Sequence, residues 1–378
     1  FNHIRSTHFW FKSEKPRREC EARINFVLLN GLTPAFQANF SEVSNENAGK
    51  RVVFAQKLGQ CADMDFSNPH FLTSDGYRIA TYSDGPEDGP IVILIHGWPE
   101  LAYSWKTTVP PLVKAGYRVI AYDLRGFGLS DAPRGVEHYA IEQMVADLET
   151  VINAQGSSKV TLIGHDWGGI ILWHAARMIS ERIKRLVSIC TPHVKHAPVD
   201  PLKIFRKRFG EEHYFLRFNE NPDDVEALFS RNSDAFFRLM FRTTPSGKTM
   251  DKKFTYIPKS FSEFLKKGAP SLPGAVMSDK DRAVYAKAYE KNGFHGGMSL
   301  YRNTTHNWNL AKGLSEKVVQ PALMLSPEDD LLLPPSSTDH MPAIIPDLTR
   351  QTIPNCGHWA MWDNPDAINN AIIDWLGL

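Results

Sequence analysis

The sequence predicts an α/β chain whose mostly parallel central sheet is flanked by helices and interrupted by an inserted helical segment. Three observations carry this. Short, wholly apolar runs alternate with amphipathic helical stretches from about residue 69, which implies crossover connections and parallel pairing. The alternation stops between residues 195 and 312, a stretch rich in Phe, Lys and Arg that reads as helices without strands. Strand character then returns in "PALMLS" (321–326) and "LTRQTIP" (348–354). The predicted division is an N-terminal extension of unassigned role at 1–64, core at 65–194, a helical cap or lid at 195–312, and core again at 313–378.

"YRIATYS", "IVILIH" and "YRVIAYD" read as strands, and "LAYSWKTTVPPLVKAG" as a helical stretch interrupted by prolines. In "IEQMVADLETVINAQG", Ile141, Met144, Val145, Leu148, Val151 and Ile152 share one helical face, with Gly156 as the stop. "KVTLIG" and "RLVSIC" are short apolar strands on either side of another helix. In the inserted segment, "DVEALFSRNSDAFFRLMFR" has helical spacing, and "SDKDRAVYAKAYEKNG" opens on a capping box from Ser278 to Asp281 and ends at Gly293. Asn364-Pro365 announces a last helix that buries Ile368, Ile372, Trp375 and Leu376.

Composition narrows the function classes. Of 378 residues, 43 are Lys or Arg and 42 are Asp or Glu, leaving a formal charge of +1. The only basic block that stands out is the short "KPRREC", so no nucleic-acid partner is expected. Cys20, Cys61, Cys190 and Cys356 are scattered, without the spacing of a disulfide scaffold or a zinc site. No apolar run approaches the roughly 18 residues of a membrane span. "INFVLLNGL" (24–32) follows basic residues as a signal-peptide core would, but its two Asn and the lack of an A-x-A site argue against that. The chain opens on Phe1 rather than Met, as a fragment or a processed form would. The expected compartment is the cytoplasm; oligomeric state is not legible.

Chemistry concentrates in "KVTLIGHDWGGII" (159–171). An apolar strand meets Gly-His-Asp-Trp-Gly and then a helix, which is the strained strand-to-helix turn that exposes one side chain as a nucleophile. Asp166 stands where a hydrolase of this kind normally has serine. Aspartate is also a good N-cap, and on this stretch alone the two readings stand level. Three further stretches separate them. "ILIHGWPE" (93–100) ends a strand in a turn whose backbone N–H could complete an oxyanion hole. "SPEDDLLLPP" (326–335) leaves a strand with three acids. "NCGHWAMWDNP" (355–365) puts His358 between the last strand and the last helix. Nucleophile, acid and histidine, each in a strand-end loop, follow in the order of an α/β-hydrolase triad.

With "HGWPE", "DLRGFGLSDAP" (123–133), "GHDWGG", "CTPH" (190–193), "YRNTTHNW" (301–308), "PEDDLLLP" and "CGHW", the chain from about residue 90 to its end resembles the epoxide hydrolases of the α/β-hydrolase fold, soluble epoxide hydrolases above all. That resemblance implies Asp166 as nucleophile, His358 as base and Asp330 as the acid that orients it, with Asp329 the nearest rival. It implies an oxyanion hole from the backbone N–H groups of Trp98 and Trp167, and two ring-opening tyrosines on the lid. Tyr301 of "SLYRN" matches one. Tyr214 matches the other by its place four residues before Phe218, although its surroundings differ from the family's usual Gln-x-Pro-Gly.

A carboxylate is already ionised at neutral pH and can attack a saturated carbon without a base to activate it. The resulting ester is then open to water activated by neutral histidine. An epoxide opens to a basic alkoxide that wants a proton, and phenols supply one. The expectation is thus an epoxide hydrolase that takes an apolar epoxide and water, with no metal and no organic cofactor. A haloalkane or haloacid dehalogenase shares the nucleophile, but it wants N–H donors for a halide; "HGWP" replaces the His-Gly-Asn-Pro common in haloalkane dehalogenases. A non-catalytic ligand-binding member of the fold is the remaining alternative.

Overall fold

The computed structural model describes residues 64–156, 159–248 and 251–377, with the backbone of 40–45 and 50–55. The chain divides into two units, Phe1–Gln60 and Cys61–Leu378. In the first, β1 (Phe40–Asn45) and β2 (Lys50–Ala55) pair antiparallel, with Phe40 opposite Ala55. The rest of the predicted extension, including "KPRREC", "INFVLLNGL", Cys20 and Cys61, lies outside the described residues.

The second unit is built on an eight-stranded sheet in the order β10-β9-β8-β7-β5-β6-β4-β3. β3 (His70–Ser74) and β4 (Tyr77–Asp84) form a hairpin through Asp75-Gly76, both at positive φ. β3 was not expected as a separate strand. β4 pairs antiparallel with both β3 and β6 (Arg118–Tyr122), and the remaining pairings of this sheet are parallel. β5 (Ile91–Ile95) alternates its side chains between two cores: Ile93 and Ile95 face one side, Val92 and Leu94 the other. Burial on both faces is why this strand reads as an unbroken apolar run.

A 3₁₀ turn, Ala102–Thr107, leads into α1 (Val109–Lys114). Pro110 and Pro111 fall in its first turn, where the missing N–H groups have no helical partner to lose. They start the helix rather than interrupt it. α2 (Ile141–Asn153) buries all six residues of its predicted face. β7 (Val160–His165), α3 (Trp167–Met178) and β8 (Ile183–Ile189) complete the first pass through the sheet.

Eight helices follow among the described residues before the sheet resumes: α4 (Pro201–Phe209), α5 (Tyr214–Glu220), α6 (Pro222–Ser230), α7 (Ser233–Met240), α8 (Ile257–Lys266), α9 (Asp279–Asn292), α10 (His295–Arg302) and α11 (Thr304–Ala311). The single helical spacing of "DVEALFSRNSDAFFRLMFR" is broken between α6 and α7 at Arg231-Asn232. α9 begins as its capping box predicts, with Ser278 Oγ accepting from Asp281 N at 3.1 Å, and stops at Gly293. These helices form the inserted cap, whose interior is aromatic: Phe218, Phe229, Phe236, Phe237, Phe261 and Phe294 are all buried.

β9 (Ala322–Pro327), β10 (Leu348–Ile353), α12 (Ala360–Asp363) and α13 (Pro365–Leu376) close the fold. Ile368, Ile372 and Leu376 are buried in α13, but Trp375 is only half-buried. Its ring lies over the Arg185 guanidinium and its indole N–H bonds Thr349 Oγ1 at 3.1 Å.

The chain runs from β5 outward to β6, then returns to β5's other side as β7. That reversal opens a crevice at the carboxyl ends of β5 and β7, the place where open α/β sheets bind ligands.

Candidate active site

Asp166 stands at this crevice, between the end of β7 and the start of α3, with φ 52° and ψ −119°. The turn is tight enough that a Cβ on Gly168 would fall 1.9 Å from the Ile95 carbonyl oxygen. Asp166 occupies the N-cap position, yet its side chain makes no cap hydrogen bond. Its Oδ1 instead accepts from the Trp98 backbone N–H at 2.7 Å. Trp98 belongs to the loop after β5, where the Trp98–Pro99 peptide is cis. Gly97 lets this loop approach, since a Cβ there would sit 2.5 Å from Asp166 Cβ. Trp167 is the first residue of α3, so its N–H has no acceptor within the helix.

His358 lies opposite. Its Nε2 is 3.7 Å from Asp166 Oδ2, and its Nδ1 is 2.7 Å from Asp330 Oδ2. Asp330 is fully buried, and its other oxygen accepts the N–H groups of Leu332 and Leu333 at 2.9 and 3.0 Å. Burial alone would raise this carboxyl's pKa, but the His358 charge and these hydrogen bonds outweigh it and hold it below the usual range. Asp329 turns away and accepts from Ser246 Oγ at 2.8 Å. For His358, burial opposes ionisation. The Asp330 charge, the hydrogen bond His358 Nδ1 donates to Asp330 and the nearby Asp166 and Cys190 side chains prevail, and its pKa rises well above the ordinary value.

The cap brings two tyrosines to the same place. Tyr214 opens α5 and Tyr301 lies on α10, with ring centroids 5.3 Å apart and edge to face. Tyr301 also meets the rings of Trp98 and Trp167 at 5.4 and 5.0 Å. Burial, then the Asp166 carboxylate, push both phenols above the ordinary tyrosine range. They stay protonated and able to donate. The Trp167 indole beside Tyr301 works against that rise. The other six residues singled out in the sequence, His358, Asp330, Tyr301, Tyr214, Trp98 and Trp167, are thus gathered about the Asp166 carboxylate.

Behind them is a pair to which the sequence reading gave no role. His165 and Glu100 are both wholly buried, with His165 Nδ1 2.7 Å from Glu100 Oε2. His165 Nε2 is 2.9 Å from the His358 carbonyl oxygen. Both ring nitrogens face acceptors, so both must donate, and the ring is an imidazolium. Burial works against that charge, but Glu100 and Cys190 raise the pKa well above its usual value; Glu100 is correspondingly lowered against its own burial. The signal was a histidine at the end of a wholly apolar strand, because a buried titratable group requires a partner. His165, Cys190 and His358 are also close enough to suggest a metal site, with ligand atoms within 4.8 Å of one another. The imidazolium has no free lone pair, so the cluster does not suit a metal in this state.

The α/β hydrolase fold model matches residues 90–365, and the chain belongs to that family. Within it, the chain is 35% identical over 327 residues to bifunctional epoxide hydrolase 2 of Sus scrofa, an alignment covering 84% of this chain and 56% of that protein. It is 30% identical to epoxide hydrolase A of Mycobacterium tuberculosis, covering 81% of this chain and 96% of the relative. The chain thus spans little more than half the length of the bifunctional relatives and nearly all of the bacterial one. The crystal structure of epoxide hydrolase A from Mycobacterium thermoresistibile superposes with a TM-score of 0.73 at 29% identity, over 82% of this chain and 98% of that one. An epoxide hydrolase from Vigna radiata gives a TM-score of 0.72 at 27% identity, over 83% and 98%.

Proposed function

We propose that the chain hydrolyses apolar epoxides to vicinal diols in two steps, and that residues 195–312 are the cap that supplies the proton donors. Asp166 Oδ2 attacks an epoxide carbon while Tyr301 and Tyr214 hold and protonate the ring oxygen, leaving an alkyl ester. Oδ1, held by the Trp98 N–H, becomes the ester carbonyl oxygen. Water activated by His358 attacks the ester carbon, and the N–H groups of Trp98 and Trp167 stabilise the oxyanion, each such donor contributing about 3–4 kcal/mol. Asp330 fixes the ring tautomer and stabilises the imidazolium.

The observation that carries this reading is one carboxylate flanked by Trp98 N–H at 2.7 Å and His358 Nε2 at 3.7 Å, with two protonated phenols above it. The resting His358 charge fits it. Esterification removes the Asp166 negative charge, the His358 pKa falls, and a neutral base forms when one is needed. The halide reading has less support, because a halide leaving group needs no proton, whereas the Tyr214 and Tyr301 phenols sit near enough to Asp166 for its charge to raise their pKa values. The named relatives add weight for the epoxide. Buried free thiols at Cys190 and Cys356 suit the cytoplasmic compartment we assign. No helix among the described residues is long and apolar enough to cross a membrane.

The test mixes His358→Gln with an aryl epoxide and a bromoalkane and records intact-protein mass, with Asp166→Ala as the blank. A stable gain equal to the whole epoxide, absent from the blank, is expected. A gain equal to the alkyl group alone would make the protein a dehalogenase, and no adduct in a folded variant would favour a binding protein.

A further inference from the structure

α4 is a helix with no buried residue. Helical spacing puts Leu202, Phe205 and Phe209 on its inner side and Lys203, Ile204, Lys207 and Arg208 on its outer side, and all four outer residues are exposed. The inner side is well anchored. Phe205 packs on Phe215 with ring centroids 4.6 Å apart, and Phe215 packs on Tyr301 at 4.7 Å. Arg206 is engaged by Glu211 and Glu220. Beside the end of α4 runs the 3₁₀ turn Lys252–Thr255, tied to it by Tyr256 Oη donating to the Phe209 carbonyl at 2.7 Å. This turn repeats the pattern of the helix: Lys252 and Lys253 are exposed, and Phe254 is 49% exposed between them and the buried Thr255.

We propose that this face of the cap is a docking surface for a bilayer bearing anionic headgroups. The surface joins five cations, Lys203, Lys207, Arg208, Lys252 and Lys253, and none of the five has an acidic partner among the described residues. Ile204 lies among the cations of α4 and Phe254 directly follows those of the turn, and both are exposed. Unpaired cations alone are what a solvated face would show. Isolated large apolar groups set within the same cationic patch are the pattern of a peripheral segment that rests at the headgroup boundary. A nucleic acid backbone would use the cations and leave Ile204 and Phe254 without a role. The docking is independent of which leaving group the site cleaves. The use it would have, entry of an apolar epoxide from the bilayer near Tyr214 and Tyr301, rests on the reading above.

The test sediments the full chain with vesicles of phosphatidylcholine, alone or with one-third phosphatidylserine, at low and high salt. Binding to the phosphatidylserine vesicles only, weakened by salt, is expected. Each basic side chain near an anionic surface multiplies affinity about fivefold. The variant Lys203→Glu/Lys207→Glu/Lys252→Glu/Lys253→Glu should therefore lose binding by more than about a hundredfold, while its melting temperature and turnover of a water-soluble aryl epoxide stay unchanged. Ile204→Ser/Phe254→Ser should keep salt-sensitive binding but lose the part that survives high salt. No sedimentation of the folded wild type, or binding indifferent to charge reversal, would overturn the proposal. Retention on duplex DNA without vesicle binding would reassign the surface to nucleic acid.

Discussion

Replacing Glu100 with glutamine removes one charge from behind the site and almost no volume. In the native protein, Glu100 Oε2 accepts from His165 Nδ1 at 2.7 Å and from the Gly97 N–H at 3.1 Å, while His165 Nε2 donates to the His358 carbonyl. Glutamine cannot serve all of these. With its oxygen in place of Oε2, the imidazolium keeps both bonds but its charge has no counterion. With the amide reversed, neutral His165 is satisfied and the Gly97 N–H meets another donor. A buried group goes uncompensated in either case, at a cost of about 1–3 kcal/mol. Large domains lose roughly 2–4 °C of Tm per kcal/mol, so the fall should be about 2–12 °C. Glu100→Ala leaves the cation bare and should cost about 3–5 kcal/mol.

The pH dependence identifies the cause. Glu100 has its folded pKa below the usual 4.5, so its contribution is present above pH 4.5 and is lost as pH falls through the lowered value. His165 is raised above its usual 6.5, so its contribution is complete below pH 6.5 and fades only as the ring loses its proton at higher pH. The Tm gap between wild type and Glu100→Gln, read by thermal melts across a pH series, should be widest between these two values and close in acid. Because His165 anchors the His358 carbonyl, decay of the ester should slow more than its formation. Equal melting temperatures in that window, or a gap that widens in acid, would refute the ion-pair assignment.

In single-turnover mass measurements, Tyr214→Phe/Tyr301→Phe should form the epoxide adduct at least about 10²-fold more slowly, the low end for a lost general acid. Asp330→Asn should lengthen the life of the ester by about 10⁴-fold, as loss of the orienting acid does in hydrolase triads. Asp329→Asn, whose carboxylate serves Ser246 instead, should leave that lifetime unchanged. Gly297→Ala would put a Cβ 2.2 Å from Trp98 Cδ1 and 2.6 Å from its Nε1. Urea denaturation should show a loss of about 1–3 kcal/mol, the usual cost of overpacking.

The inner parallel strands β5, β7 and β9 were legible because burial on both faces leaves them almost wholly apolar. β3 was not, since it is an edge strand with Phe71 39% exposed and only Ser74 buried. Asp75-Gly76 was the available signal, as a two-residue turn with both residues at positive φ joins hairpin strands. Trp375 shares the buried helical face by periodicity, but its ring reaches the sheet's rim, where Arg185 and Thr349 hold it. The candidate site was legible as residue types in order. Whether Asp329 or Asp330 serves His358 was not, because consecutive side chains in that turn point to different neighbours. The role of Glu100 and His165 was hidden for a related reason: 65 positions separate residues whose side chains meet at 2.7 Å.

The resting charges explain why two histidines sit so close without defeating each other. Asp166, Asp330 and Glu100 supply three negative charges around the rings of His165 and His358, whose centroids are 5.1 Å apart. His165 keeps its proton throughout, because both of its partners are acceptors that the reaction does not consume. His358 differs: one of the contacts that raise its pKa is Asp166, and the proposed first step turns that carboxylate into a neutral ester. Burial, which always opposes the His358 charge, then meets less resistance. The proton released can return to the phenolate left when a tyrosine has protonated the epoxide oxygen. Alkylation on this scheme takes no net proton from solvent and leaves a neutral imidazole facing the ester, while the fixed His165 cation keeps the His358 loop in register for the second step.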